Sequence, residues 1–203
     1  MASGDAKRML PLVARAFAEL GYRRATTAAL ARRCGVRENV LYRAWPSKKA
    51  MFLAAIDHVW QRSMQVWGRL VAESGARGAD AARLILKYES THHGETGLYK
   101  VIFAGLTEAH DPHVAVALRR MYGSFHQFIT GQVAAIRRDL PASTSKTNPT
   151  DELRAWGVLG VATVANIDRE LKLFGPRERA LLFTQLMRLL IDPTNASMER
   201  AAK

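Results

Sequence analysis

The chain has 203 residues, with 30 Lys and Arg against 18 Asp and Glu, a net charge of +12 and a pI near 10.4. The length suffices to bury about 70% of the unfolded surface in a core, and the single cysteine, Cys34, excludes an internal disulfide and a cysteine-based zinc site. No apolar run approaches the roughly 20 residues of a membrane span, and "MASGDAKRML" lacks the apolar centre of a signal peptide, so a soluble, cytoplasmic protein is expected.

Helical periodicity runs through the chain and strand alternation is nearly absent, so the fold class is all-α. Asp5 is placed to cap a first helix in which Leu10, Val13, Ala14, Phe17 and Leu20 form an apolar stripe, ended by Gly21. Tyr22 to Ala25 form a link. Thr26 or Thr27 then offers a hydroxyl N-cap to a short second helix, "AALARRC", which buries Leu30 and Ala31 and stops at Gly35. A third helix is predicted from about Glu38 to Ala44, ended by Pro46. Ser47 caps a long fourth helix running from about Lys48 towards Glu73. Gly75 and Gly78 mark the next break, and further helices are expected near 79–91, 96–108, 112–139, 150–173 and 176–191. "PASTSKTNP", from Pro141 to Pro149, reads as a mobile loop.

The charge is distributed unevenly along these elements. Residues 1–50 hold eleven Lys and Arg against three acids, an excess of eight, whereas the rest of the chain holds 19 against 15, an excess of four. A polyanion such as nucleic acid would therefore be met by the N-terminal quarter. Charge alone also fits a solvated basic surface.

Motif adds what charge cannot. Two short helices joined by a glycine-containing turn, "TTAALARRCGVRENVLYRAW", have the helix-turn-helix arrangement. In such a unit the second helix enters the major groove with its N-terminal residues at base edges, while the first helix and nearby cations hold phosphates. Val36, Val40 and Leu41 are expected to face Phe17 and Leu30, which leaves Arg37, Glu38, Asn39, Tyr42 and Arg43 pointing outward. A helix this short stands only when packed. Trp45 is expected in the core.

The stretch "ELGYRRATTAALARRCGVRENVLYRAWPSKKAMF" resembles the TetR family of bacterial transcriptional regulators in Gly21-Tyr22, Thr26-Thr27, Leu30-Ala31, Gly35-Val36, Leu41-Tyr42 and Pro46-Ser47-Lys48. The likeness covers about the first 55 residues. It implies a DNA-binding domain over 1–47 and a helical ligand-binding and dimerisation domain over 48–203. It further implies that Thr27 contacts phosphate, that Tyr42 and Lys48 grip the backbone, and that Arg37, Glu38, Asn39, Val40 and Arg43 sit at or near base edges. Arg37 or Arg43 could pair with guanine O6 and N7, and Asn39 with adenine N6 and N7. Two positions depart from the family pattern. Ala44 removes a common phosphate donor, with Arg43 beside it as a replacement, and Ala28 cannot supply a base contact that some relatives make.

A single helix-turn-helix reads few base pairs, so binding as a two-fold homodimer to a palindromic double-stranded operator is expected. "LRAWGVLGVATVANI" (Leu153 to Ile167) is apolar nearly all round, and "RALLFTQLMRLLI" (Arg179 to Ile191) carries Leu181, Leu182, Phe183, Leu186, Met187, Leu189 and Leu190. A helix apolar on two faces must bury both, one of them against a partner or in a larger core. Gly157 and Gly160 would let a partner approach closely. The resemblance implies an inducer pocket in the aromatic-rich middle of the chain, lined by Phe103, Tyr122, Phe125, His126, Trp156 and Thr163. Such an effector would act by favouring a DNA-incompetent form, with the fourth helix as lever.

Competing chemistry is weakly supported. Glu89 and His92 have the Glu-x-x-His spacing of a di-iron bundle, which needs two such motifs and two more carboxylates, and only one motif is present. His110 and His113 flank Asp111 at an expected helix end. Cys34 precedes Gly35, where a small buried residue suffices. No nucleophile elbow or phosphate-cradling glycine loop occurs, so neither enzymatic activity nor a cofactor or metal is expected. The leading expectation is a ligand-responsive repressor, with a nonspecific basic DNA-binding protein or a helical-bundle enzyme as alternatives.

Overall fold

The computed structural model describes residues 2–139 and 149–191. These form nine helices and no strand: α1 Ala2–Arg24, α2 Thr27–Cys34, α3 Glu38–Ala44, α4 Lys48–Ser74, α5 Gly78–His92, α6 Tyr99–Thr107, α7 Pro112–Arg138, α8 Pro149–Leu171 and α9 Pro176–Ile191. The all-α expectation holds. Apart from Pro149, the loop expected over 141–149 lies outside the described residues. No described helix is long and apolar enough to cross a membrane.

Packing divides the chain into two units, Met1–Met64 with Thr96–Gly123, and Gln65–Glu95 with Ser124–Lys203. The division differs from the one drawn at residue 47 because α6 packs along α1 and stays with the helix-turn-helix. In the first unit α1 starts upstream of Asp5, so that side chain sits in the first turn and pairs with Arg8 instead of capping. The helix is kinked at Gly21. Met9, Val13, Ala14, Ala16 and Phe17 are buried while Leu10 and Leu20 are only half-buried, so the apolar stripe centres closer to Met9 than the spacing suggested. Phe17, Tyr22 and Phe52 form an aromatic cluster, with Phe52 4.9 Å from Phe17 and 4.7 Å from Tyr22 between ring centroids. Such pairs add to plain area burial. Leu30, Leu41, Met51, Phe52 and Ile56 are fully buried on α2, α3 and α4.

The second unit is built on Ala82, Val133, Ile136, Val158, Ala165 and Phe183, drawn from α5, α7, α8 and α9. Here one expectation is corrected. A methyl group at Gly157 would come within 2.8 Å of Leu190, so that glycine admits α9 of its own chain. Two buried ion pairs lock this unit. Arg137 on α7 grips Asp151 on α8 through Nε at 3.0 and 3.1 Å and Nη2 at 2.9 Å, and Arg179 on α9 holds the wholly buried Asp168. Burial would raise the Asp168 carboxyl, but Arg179 and the backbone N–H groups of Phe174 and Leu173 together outweigh it and leave the group below its ordinary value. Removing one member of a buried pair strands the other. Asp151→Asn should therefore destabilise the second unit by about 3–5 kcal/mol in urea unfolding, and a loss below about 1 kcal/mol would show that the pair is not structural.

Candidate nucleic-acid interface

The two short helices are positioned by local chemistry. Thr26 is extended and its hydroxyl accepts from Ala29 N at 3.1 Å, so Thr26, not Thr27, caps α2. Gly35 closes α2 in the left-handed region at φ 65°, where a side chain is strained, and its turn returns Val36 N to Ala31 O at 3.0 Å. Pro46 follows the end of α3, and Ser47 Oγ accepts from Ala50 N at 3.1 Å to cap α4.

Burial then fixes which face of α3 looks outward. Leu41 is fully buried and Trp45, just past the helix, is buried, while Val36 and Val40 are half-buried. Arg37, Glu38, Asn39, Tyr42 and Arg43 are all exposed. Among the described residues Arg37, Asn39, Tyr42 and Arg43 have no side-chain partner, so their donors are available to another molecule. Glu38 differs, since its Oε2 accepts from Thr27 Oγ1 at 2.6 Å.

Cations around this face are partly committed. Lys48 donates to Tyr22 O at 3.1 Å and lies 4.5 Å from the centroid of the Tyr22 ring. Arg33 pairs with Glu19, tying α2 to α1, and Arg23 donates to the buried Glu108 at 2.8 Å, tying the end of α1 to the end of α6. Lys49 pairs with Asp111 at 2.6 Å. The Lys49 hydrogen bond, with backbone N–H groups of His113 and Val114, lowers the Asp111 carboxyl to about 2. Sequence spacing signalled none of these links, because each joins residues far apart in the chain. Cys34 is half-buried and burial pushes its thiol up, away from reactivity.

The residues named for an inducer pocket are placed as follows. In the first unit Phe103 meets Tyr99 edge-on at 5.6 Å, and burial pushes the half-buried Tyr122 phenol up. In the second, Phe125 meets Trp67 at 6.1 Å. His126 stacks on Trp156 at 4.6 Å and bonds Glu152 O at 3.0 Å, and Thr163 bonds Leu159 O of its own helix. None of the six lines the cavity of about 260 Å³ between α8 and α9, which is bordered by Gly157, Gly160, Val164, Phe174, Leu182 and Leu186 among others. Glu89 bonds His93 at 2.7 Å and the Trp67 indole N–H at 2.7 Å, while His92 stacks on Tyr88.

This arrangement defines a helix-turn-helix protein with the fold of TetR-family transcriptional regulators. Residues 14–55 match the family model described as "Bacterial regulatory proteins, tetR family". Solved structures share the fold, three of them as follows. A chain from Rhodococcus sp. assigned to the TetR-family regulators has a TM-score of 0.74 at 15% identity, covering 94% of this chain and 100% of that one. One from Saccharomonospora viridis, assigned as a transcriptional regulator and solved with choline, has 0.71 at 16%, covering 92% and 96%. A TetR-family regulator from Agrobacterium tumefaciens has 0.64 at 15%, covering 95% and 98%. No curated protein matches the sequence significantly.

The Asp111 pairing carries a pH signature. A depressed carboxyl contributes stability above its ordinary range and loses it as pH falls through its folded value. The stability difference between wild type and Asp111→Asn should therefore be full at pH 7, shrink between about pH 4 and about 2, and vanish below. Thermal unfolding of both proteins across that range tests it.

Proposed function

We propose that the protein is a non-enzymatic, ligand-responsive regulator that binds double-stranded DNA sequence-specifically as a homodimer, and that it represses until a small apolar or amphipathic effector releases it. The observation that carries this reading is the exposed row Arg37, Asn39, Tyr42 and Arg43, without partners among the described residues, on a helix whose other face buries Leu41. Arg and Asn supply the bidentate donors that read guanine and adenine edges, and Tyr42 and Lys48 supply backbone contacts. Lys48 has three donors and Tyr22 O takes one, which leaves two for phosphate.

A second copy is supported by α8. Leu153, Trp156, Gly160, Val164, Ile167 and Leu171 follow three- and four-residue spacing along one face, and all six are exposed, Leu153 at 71% and Trp156 at 51%. That is the seam of a helix that packs against another helix. Leu181 and Leu182 on α9 are exposed as well. A two-fold dimer across α8 and α9 would cover this face, and a palindromic operator offers such a dimer two half-sites. The effector reading draws on the choline-bound neighbour, whose fold accommodates a small organic cation.

Selection from a randomised duplex pool at fixed salt, followed by sequencing, tests the reading. A palindrome should be enriched. Arg43→Ala should relax one position of each half-site by about 1–3 kcal/mol, whereas Lys48→Ala should weaken all sites alike. Retention without enrichment would overturn sequence-specific regulation and leave a nonspecific binder.

A further inference from the structure

We propose that Glu38 reads a cytosine amino group in each operator half-site, and that Thr27 is the residue that positions Glu38 and not a phosphate contact. The inference rests on the DNA-binding reading above and concerns how that same surface selects its sequence.

It begins with the division of labour between adjacent threonines. Thr26 takes the capping role at α2, so the Thr27 hydroxyl is not needed there. A hydroxyl has one proton to give. Thr27 gives it to Glu38 Oε2 at 2.6 Å, across the turn that joins α2 to α3. While that bond lasts Thr27 has no proton for a phosphate oxygen. As a β-branched residue in a helix, Thr27 is restricted at χ1 and fixes the carboxylate more firmly than a serine would.

Glu38 is exposed in the first turn of α3, between Arg37 and the face bearing Arg43, and it is the only acid between residues 20 and 50. A carboxylate can only accept. In the major groove guanine O6 and N7 and thymine O4 are acceptors and repel it, while cytosine N4 and adenine N6 carry donors. Thr27 holds the carboxylate through Oε2, and Oε1 can accept from an amino group of a base. Cytosine presents N4 alone. Adenine sets the N7 acceptor beside its N6 donor, against the carboxylate. The pair thus favours cytosine over the other three bases, and Glu38 also lowers affinity wherever no amino group is offered.

The test is selection from a randomised duplex pool with wild type, Glu38→Gln, Thr27→Val and Thr27→Ser, each first shown to unfold at the wild-type temperature. Thr27→Ser is the control if the valine variant folds poorly. Wild type should enrich a cytosine in each half-site. Glu38→Gln should exchange that base for adenine, which an amide matches at both N6 and N7, with other positions unchanged. Thr27→Val should reduce preference at that one position roughly tenfold, and Thr27→Ser should keep most of it. A Thr27→Val protein that binds all sequences more weakly with its motif intact would show a phosphate contact and overturn the positioning role. A motif unaltered by Glu38→Gln would overturn base reading by Glu38. No motif even for wild type would overturn the DNA-reading account, and this inference with it.

Discussion

A seven-residue helix has no stability of its own in water, so everything this protein offers to DNA depends on the burial of Leu41. That side chain anchors the middle of α3 in a core that also buries Phe17, Leu30 and Phe52, and the aromatic cluster around Phe52 fixes α1 against the start of α4. Once Leu41 is inside, helical geometry dictates that Arg37, Asn39, Tyr42 and Arg43 are outside. The reading face is a consequence of packing on the opposite side of one short helix.

Electrostatics sorts the basic residues into two groups. Arg23, Arg33 and Lys49 have carboxylate partners in Glu108, Glu19 and Asp111, and they hold α1, α2 and α4 in place. The exposed Arg33–Glu19 pair adds little stability by itself. The three pairs do remove cations from the face that would meet a polyanion. Arg37 and Arg43 are left uncommitted on that face, which gives the excess of positive charge near the N-terminus a local address.

The local signals were legible because they act over a few residues. Gly35, the hydroxyl cap before α2, Pro46 and Ser47 each set an element boundary through their own backbone or side-chain chemistry, and all stand at the ends they marked. The alternation of buried and exposed positions on α3 followed from helical spacing around Leu41. What was not legible depends on tertiary approach. Thr27 and Glu38 are eleven residues apart and meet only because the Gly35 turn folds back. Gly157 looked like an opening for another subunit until Leu190 of the same chain filled it. His126 and Trp156 stand in the sequence as loose aromatic groups, yet they stack on each other, and the cavity near α8 is lined mainly by small and aliphatic residues that composition does not distinguish from core.

The most direct test of the account is amide hydrogen exchange of α3 in the protein without DNA. If the burial of Leu41 holds the recognition helix in place, the amides of Leu41, Tyr42 and Arg43 should be protected and should open together with those of α1 around Phe17. Exchange of these amides at the rate of an unstructured peptide, with α1 still protected, would contradict the claim that packing alone presents this helix preformed.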